Sequence, residues 1–220
     1  MPKPLQGSER TGSSEYWIER RFCEHFAELF TTTNPSRQQR ESALKDIPKK
    51  VTTEMNKELG RPFTEEKIKE ALFHMCPTKA RGPDGLPAVI FQKHWETVKE
   101  GVTVTCLHIL NEKGTLTPLN HTYIALIPKI KKPRDVAEFR LISLYNVIYK
   151  IIAKIIANRL KRFLHDVISP NQSAFIPNRL ITDNVIIGYE CLHKIKMSKG
   201  KKNRLVALKL DISKAYDRVE

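Results

Sequence analysis

The chain has no uninterrupted apolar run near the ~20 residues that a membrane-crossing helix needs, so no helical span is expected. Its opening stretch, MPKPLQGSERTGSSEYW, has no apolar leader core, and secretion is not expected. Cysteine is scarce. Cys23, Cys76, Cys106 and Cys191 stand far apart, match no zinc spacing, and read as reduced thiols in a core. The seven histidines show no ligand spacing. Internal repeats and low-complexity tracts are absent. No Asp-Asp dipeptide occurs, and the one adjacent acidic pair, Glu65-Glu66, falls at a predicted helix start.

What the chain has in excess is positive charge. Its 220 residues carry 38 Lys and Arg against 24 Asp and Glu, a net +14. The excess is one-sided: residues 1–110 hold 17 against 15, and residues 111–220 hold 21 against 9. Such a distribution is read either as a solvated surface or as a face for a polyanion, and it favours nucleic acid. With 40% hydrophobic residues the chain can still build a core.

Periodicity then places the elements. Trp17, Phe22, Phe26, Leu29 and Phe30 predict a short amphipathic helix ended by TTTNP. Residues 36–60 read as a linker or a loosely docked helix. Thr64 is the expected N-cap of a helix carrying Ile68, Ala71, Leu72 and Met75, with Phe63 and Ile68 as a hydrophobic staple. Pro83-Asp84-Gly85 is turn chemistry, and Pro87 suits the first position of a helix predicted over 88–110. Residues 121–128 and 139–145 predict a hairpin with a basic tip: Lys129, Lys131, Lys132 and Arg134, with Arg140 on the return strand.

The strongest period follows: Val147, Ile148, Ile151, Ile152, Ile155, Ile156, Leu160 and Phe163 on one helical face. Residues 169–182 read as loop, with a helix from about Asp183 to Met197 and a basic turn over 199–204. The segment 205–210 is an apolar run predicted to be a buried strand that delivers Asp211 to its exposed end. By residue type alone, Asp211 is either a helix cap or a metal ligand, and Tyr216 either a core aromatic or a site residue.

In order along the chain, FTEEKIKEALFHMCPTKARGPDGLP, IALIPKIKKP with FRLISL, NVIYKIIAKIIANRL, SPNQSAFIPNRLITDN and ALKLDISKAYDRVE resemble the reverse transcriptases of non-LTR retrotransposons. The resemblance is greatest to the plant long-interspersed-element type, and it covers residues 61–220. Departures are Arg81 and Leu141, where the family commonly has proline, and Asn178, where it has glycine. Backbone distortion is expected at the latter two, less at Asn178 because asparagine tolerates positive φ better than most residues.

The resemblance implies an α+β fold: a helical N-terminal extension over 1–60, the fingers of a right-hand polymerase over 61–204, and the first palm strand over 205–220. It implies RNA-templated DNA synthesis with Mg²⁺, an RNA template, a DNA primer and deoxynucleoside triphosphates, and no membrane partner. Asp211 would be the catalytic carboxylate, with the Ile212 carbonyl as second metal ligand. Lys129, Lys131, Arg140, Ile212 and Tyr216 would handle the nucleotide, Tyr216 as a steric gate. Gln172, Phe175 and Arg179 would lie near the template, with Phe175 read equally as a core residue.

The family's later Asp-Asp pair has no counterpart here, so the chain is expected to be a truncated polymerase, inactive alone. Alternatives are a non-catalytic nucleic-acid-binding remnant and an intron maturase-like RNA-binding protein.

Overall fold

The computed structural model describes residues 14–112, 114–198 and 205–210. Their order is α1 (Ser14–Leu29), α2 (Arg37–Leu44), α3 (Thr53–Leu59), α4 (Glu65–Phe73), α5 (Ala88–Lys93), α6 (Trp95–Asn111), β1 (Thr122–Pro128), a 3₁₀ turn (Val136–Glu138), β2 (Phe139–Tyr145), α7 (Val147–Lys161), α8 (Leu164–Val167) and α9 (Ile181–Met197). The fold is therefore mixed α and β, and its one sheet among the described residues is the antiparallel pair β1–β2. The residues fall into two compact units. One holds α1, α2 and Leu126–Arg140; the other is Pro48–Ala125 with Leu141–Leu208.

The larger unit is built on α7. Its Val147, Ile151, Ile152 and Ile155 are buried and pack with Ile68, Ala71 and Leu72 of α4 and Val102 and Cys106 of α6. Ile68, Leu72, Val147 and Ile151 lose essentially all solvent contact, at about 1.5–3 kcal/mol each. The predicted stripe is shorter than its period: Ile156 and Leu160 are 49% and 45% exposed. Phe63 packs on this core as the staple requires, although the Thr64 side chain makes no cap bond to its own helix.

The helix expected over 88–110 is two helices. The chain breaks at His94 (φ −108°, ψ 30°). Before the break, the Gln92 amide donates to the carbonyls of Leu72 and Met75 at 2.9 and 3.0 Å, oxygens at and just beyond the end of α4. After it, Trp95 is buried edge-on to Phe73. Tertiary packing here overrides a continuous period. Pro87 is the N-cap, one place earlier than expected.

Residues 36–60 contain two short helices in place of a linker or a single helix: α2 is exposed throughout, and α3 is part-buried at Met55, Glu58 and Leu59. Helix α2 starts on a capping box between Ser36 and Gln39.

Two further expectations are corrected. Only Cys106 is a core thiol; Cys23, Cys76 and Cys191 are exposed. Residues 205–210 are not a buried strand: they have no regular structure, with Val206, Leu208 and Leu210 at least 80% exposed. Among the described residues no strand lies beside this run to pair with it.

Candidate functional site

The hairpin tip is braced from within. The Lys129 amide donates to the Glu138 carbonyl at 2.8 Å, closing the turn. The Lys129 ammonium donates to the Ala137 carbonyl at 2.7 Å, across the same turn. The Glu138 carboxylate accepts the backbone amides of Arg134 and Asp135, which hold its pKa below the ordinary carboxylate value. Backbone polar groups are thus satisfied locally, and Lys131, Lys132, Arg134 and Arg140 are left exposed. The backbone distortion expected at Leu141 is not found: β2 runs unbroken from Phe139 through Tyr145.

The turn over 82–85 leans on the residue that follows β2. The Gly85 amide donates to the Gly82 carbonyl at 3.0 Å, and Gly85 adopts φ +69°. Asn146, the residue before α7, accepts the Asp84 amide on its side-chain oxygen at 3.2 Å. The Lys150 ammonium donates to the Ala80 carbonyl at 2.6 Å, and partial burial lowers its pKa. Sequence reasoning did not single out Asn146 or Lys150. An Asn directly before the strongest helical period was the available signal for the first; the second had none.

Residues 169–180 form a loop folded around Arg179. Its guanidinium donates to the carbonyls of Ser169, Gln172 and His165. Asn178 adopts φ +62°, so it meets the glycine requirement of its position with no break in the loop. Phe175 also has positive φ, +65°, and is 96% exposed, which removes the core reading. A left-handed non-glycine residue costs on the order of 1–3 kcal/mol. Of the three expected template residues, Gln172 and Phe175 face outward and Arg179 is bonded inward.

A second feature that the sequence did not signal is Arg159 of α7. Its guanidinium carbon sits 3.2 Å from the centre of the Phe63 ring. It donates to the carbonyls of Leu59, Arg61 and Pro62, and partial burial lowers its pKa. Beside it, Glu58 bridges Arg61 and Arg162 at 2.8 Å each. Glu58, Phe63, Arg159 and Arg162 line a cavity of about 520 Å³ with Lys67 and Glu70.

Asp211, Ile212 and Tyr216 lie outside the described residues. Among the described residues no group of three or more His, Cys, Asp or Glu could hold a metal ion.

The stretch that starts at the braced tip is where the chain matches a known family. Residues 129–220 match the reverse transcriptase (RNA-dependent DNA polymerase) family, so this stretch is a portion of a reverse transcriptase. Its kind is that of the non-LTR retroelements. The chain is 37% identical over 176 residues to the transposon TX1 uncharacterized 149 kDa protein of Xenopus laevis, covering 77% of this chain and 13% of that protein. It is 30% identical over 165 residues to the retrovirus-related Pol polyprotein from type-1 retrotransposable element R2 of Nasonia vitripennis, covering 74% and 15%. The chain therefore spans less than a sixth of the length of these relatives.

Proposed function

We propose that this chain supplies the fingers hairpin and the first metal-binding carboxylate of an RNA-directed DNA polymerase. Its arrangement is that of a right-hand polymerase from a retroelement of the plant long-interspersed-element type. The observation that carries the reading is the family match over residues 129–220, which joins the hairpin tip and Asp211 in one stretch.

The hairpin supports it. Lys131 and Arg140 are exposed and have the charge to neutralise a deoxynucleoside triphosphate, Arg140 with a planar fork suited to phosphate oxygens. Lys129 shapes the turn through Ala137 and adds charge to the same tip. The Asp211 carboxylate and the Ile212 carbonyl are hard oxygen donors of the type Mg²⁺ takes. When bound, Mg²⁺ supplies charge stabilisation in phosphoryl transfer. Tyr216, five residues on, is the gate against a 2′-hydroxyl. Gln172 and Phe175 face the RNA template, and Arg179 holds their loop in shape.

The one-sided basic charge of residues 111–220, 21 Lys and Arg against 9 Asp and Glu, suits a second reading, a nucleic-acid-binding remnant without catalysis.

The test is a graft. Exchanged for the matching segment of an active non-LTR reverse transcriptase, this chain should support RNA-templated DNA synthesis. In that graft Asp211→Asn should slow synthesis more than ~10³-fold with folding retained, and Tyr216→Ala should admit ribonucleotides. A grafted enzyme indifferent to Asp211→Asn removes that residue from the site. An inactive graft that still binds nucleic acid supports the remnant.

A further inference from the structure

The cavity beside Arg159 has an unbalanced wall. Four cations, Arg61, Lys67, Arg159 and Arg162, meet two carboxylates, Glu58 and Glu70, across it. Both acids are committed. Glu70 holds Lys67 at 2.7 Å, a closed pair. Glu58 divides its two oxygens between Arg61 and Arg162. Arg159 bonds to no acid: its three hydrogen bonds all go to backbone carbonyls. A guanidinium has five N–H donors, so two are left without a partner among the described residues. Burial of this group lowers its pKa, and Glu58 opposes the shift only from a distance. A half-buried cation without a counter-charge is costly, and an anion beside it would relieve that cost.

The rest of the wall says what kind of anion fits. At about 520 Å³ the space is far larger than a bare inorganic ion and falls in the range of sites for small organic molecules. Pro62, Phe63 and Ile155 give it an apolar side. Asn158, half-buried in the same wall, has a side-chain amide with no partner among the described residues. The cations gather at one recess between the α3–α4 segment, α4 and α7, not along a track. That arrangement suits one compact anion and not a polymer backbone. The excess of cations over carboxylates is two, which matches a dianion.

We propose that this cavity is a binding site for a small organic dianion, a phosphate monoester or a dicarboxylate carried on an apolar body. Arg159, Arg162 and the Asn158 amide take the oxyanion, and Pro62 and Phe63 take the body. The guanidinium fork gives charge and geometry together. The site uses neither Asp211 nor the hairpin tip, and its residues from Glu58 to His74 precede the stretch matched to reverse transcriptases. It is therefore independent of the polymerase reading.

The test is isothermal titration calorimetry on the 220-residue chain with phenyl phosphate, phthalate, inorganic phosphate and benzyl alcohol. At least one of the two organic dianions should bind with a Kd below about 1 mM. Inorganic phosphate should bind about 10-fold or more weakly than that dianion, for want of the apolar contact, and benzyl alcohol should give no heat of binding. The tighter of phenyl phosphate and phthalate assigns the ligand class, phosphate ester or dicarboxylate. Arg162→Gln, at a side chain 63% exposed, should keep the fold and weaken binding about 5-fold or more. Asn158→Asp, which adds a carboxylate to the wall, should weaken it about 10-fold or more. Lys93→Gln removes the same charge outside the cavity and should change affinity by less than about 2-fold. Circular dichroism checks that each variant is folded. The site is overturned if neither organic dianion binds, if inorganic phosphate binds as tightly, or if Lys93→Gln loses as much as Arg162→Gln. None of these outcomes touches the graft experiment, which decides the polymerase reading separately.

Discussion

Gly82 lies against Asn146 so closely that a Cβ on it would stand 2.5 Å from the Asn146 backbone nitrogen. The glycine has no side chain because the residue before α7 occupies that space. This contact, with the bond from the Asp84 amide to Asn146, ties the turn over 82–85 to the place where β2 hands over to α7. A turn far away in sequence is thereby fixed to the base of the hairpin strand.

Gly82→Ala should therefore destabilise the larger unit by about 1–3 kcal/mol, the range for forcing extra volume into packed structure. Asn146→Ala, which removes only an acceptor, should cost about 1 kcal/mol. Urea unfolding followed by circular dichroism measures both. A Gly82→Ala chain as stable as its parent would show that the close approach relaxes freely.

Arg159 joins α7 to the segment between α3 and α4 through three carbonyls and the Phe63 face. Arg159→Ala should cost about 2 kcal/mol or more, since bonds from a charged donor and a ring contact are lost together. Arg159→Lys should recover little of this, because an ammonium lacks the planar fork. Full recovery by lysine would reduce the contact to simple charge.

The two ends of the α7 stripe should respond unequally. Ile151, fully buried, should cost about 2–5 kcal/mol on change to Ala. Ile156, 49% exposed, should cost well under half as much on the same change. Equal losses at the two positions would mean that Ile156 is covered in solution.

Thiol chemistry should separate the cysteines. Burial pushes the Cys106 thiol up to about 12, from 9.0, and excludes reagent. Cys76 is exposed, and hydrogen bonding from Thr78 lowers its pKa. An aromatic disulfide reagent at pH 7.5 should label Cys76 rapidly and leave Cys106 unlabelled until the chain unfolds. The linkage has a definite sign. A thiol whose pKa is raised on folding contributes its full stability below pH 9.0 and loses it as pH climbs towards 12. Cys106→Ala should remove that alkaline slope; a slope unchanged in the variant assigns it elsewhere.

Much of this protein is written in its local sequence. The α7 period, the hairpin boundaries, the turn at Pro83-Asp84-Gly85 and the left-handed Asn178 follow from spacing, β-propensity and backbone tolerance, which act over a few residues. The collinear motifs announced the reverse transcriptase kinship for the same reason. What local pattern could not decide was which surfaces find a partner. The Val206, Leu208 and Leu210 run reads as a buried strand, yet it is exposed, because burial requires a neighbour and strand character alone does not provide one. Arg159 looks like another cation on a basic helix until Phe63 and three carbonyls surround it. Phe22, Phe26 and Phe30 read as one amphipathic stripe, and only packing against Phe139 decides which ring is buried and which stays open. Periodicity is a property of the chain itself, whereas burial, bracing and exposure belong to contacts between residues far apart in it.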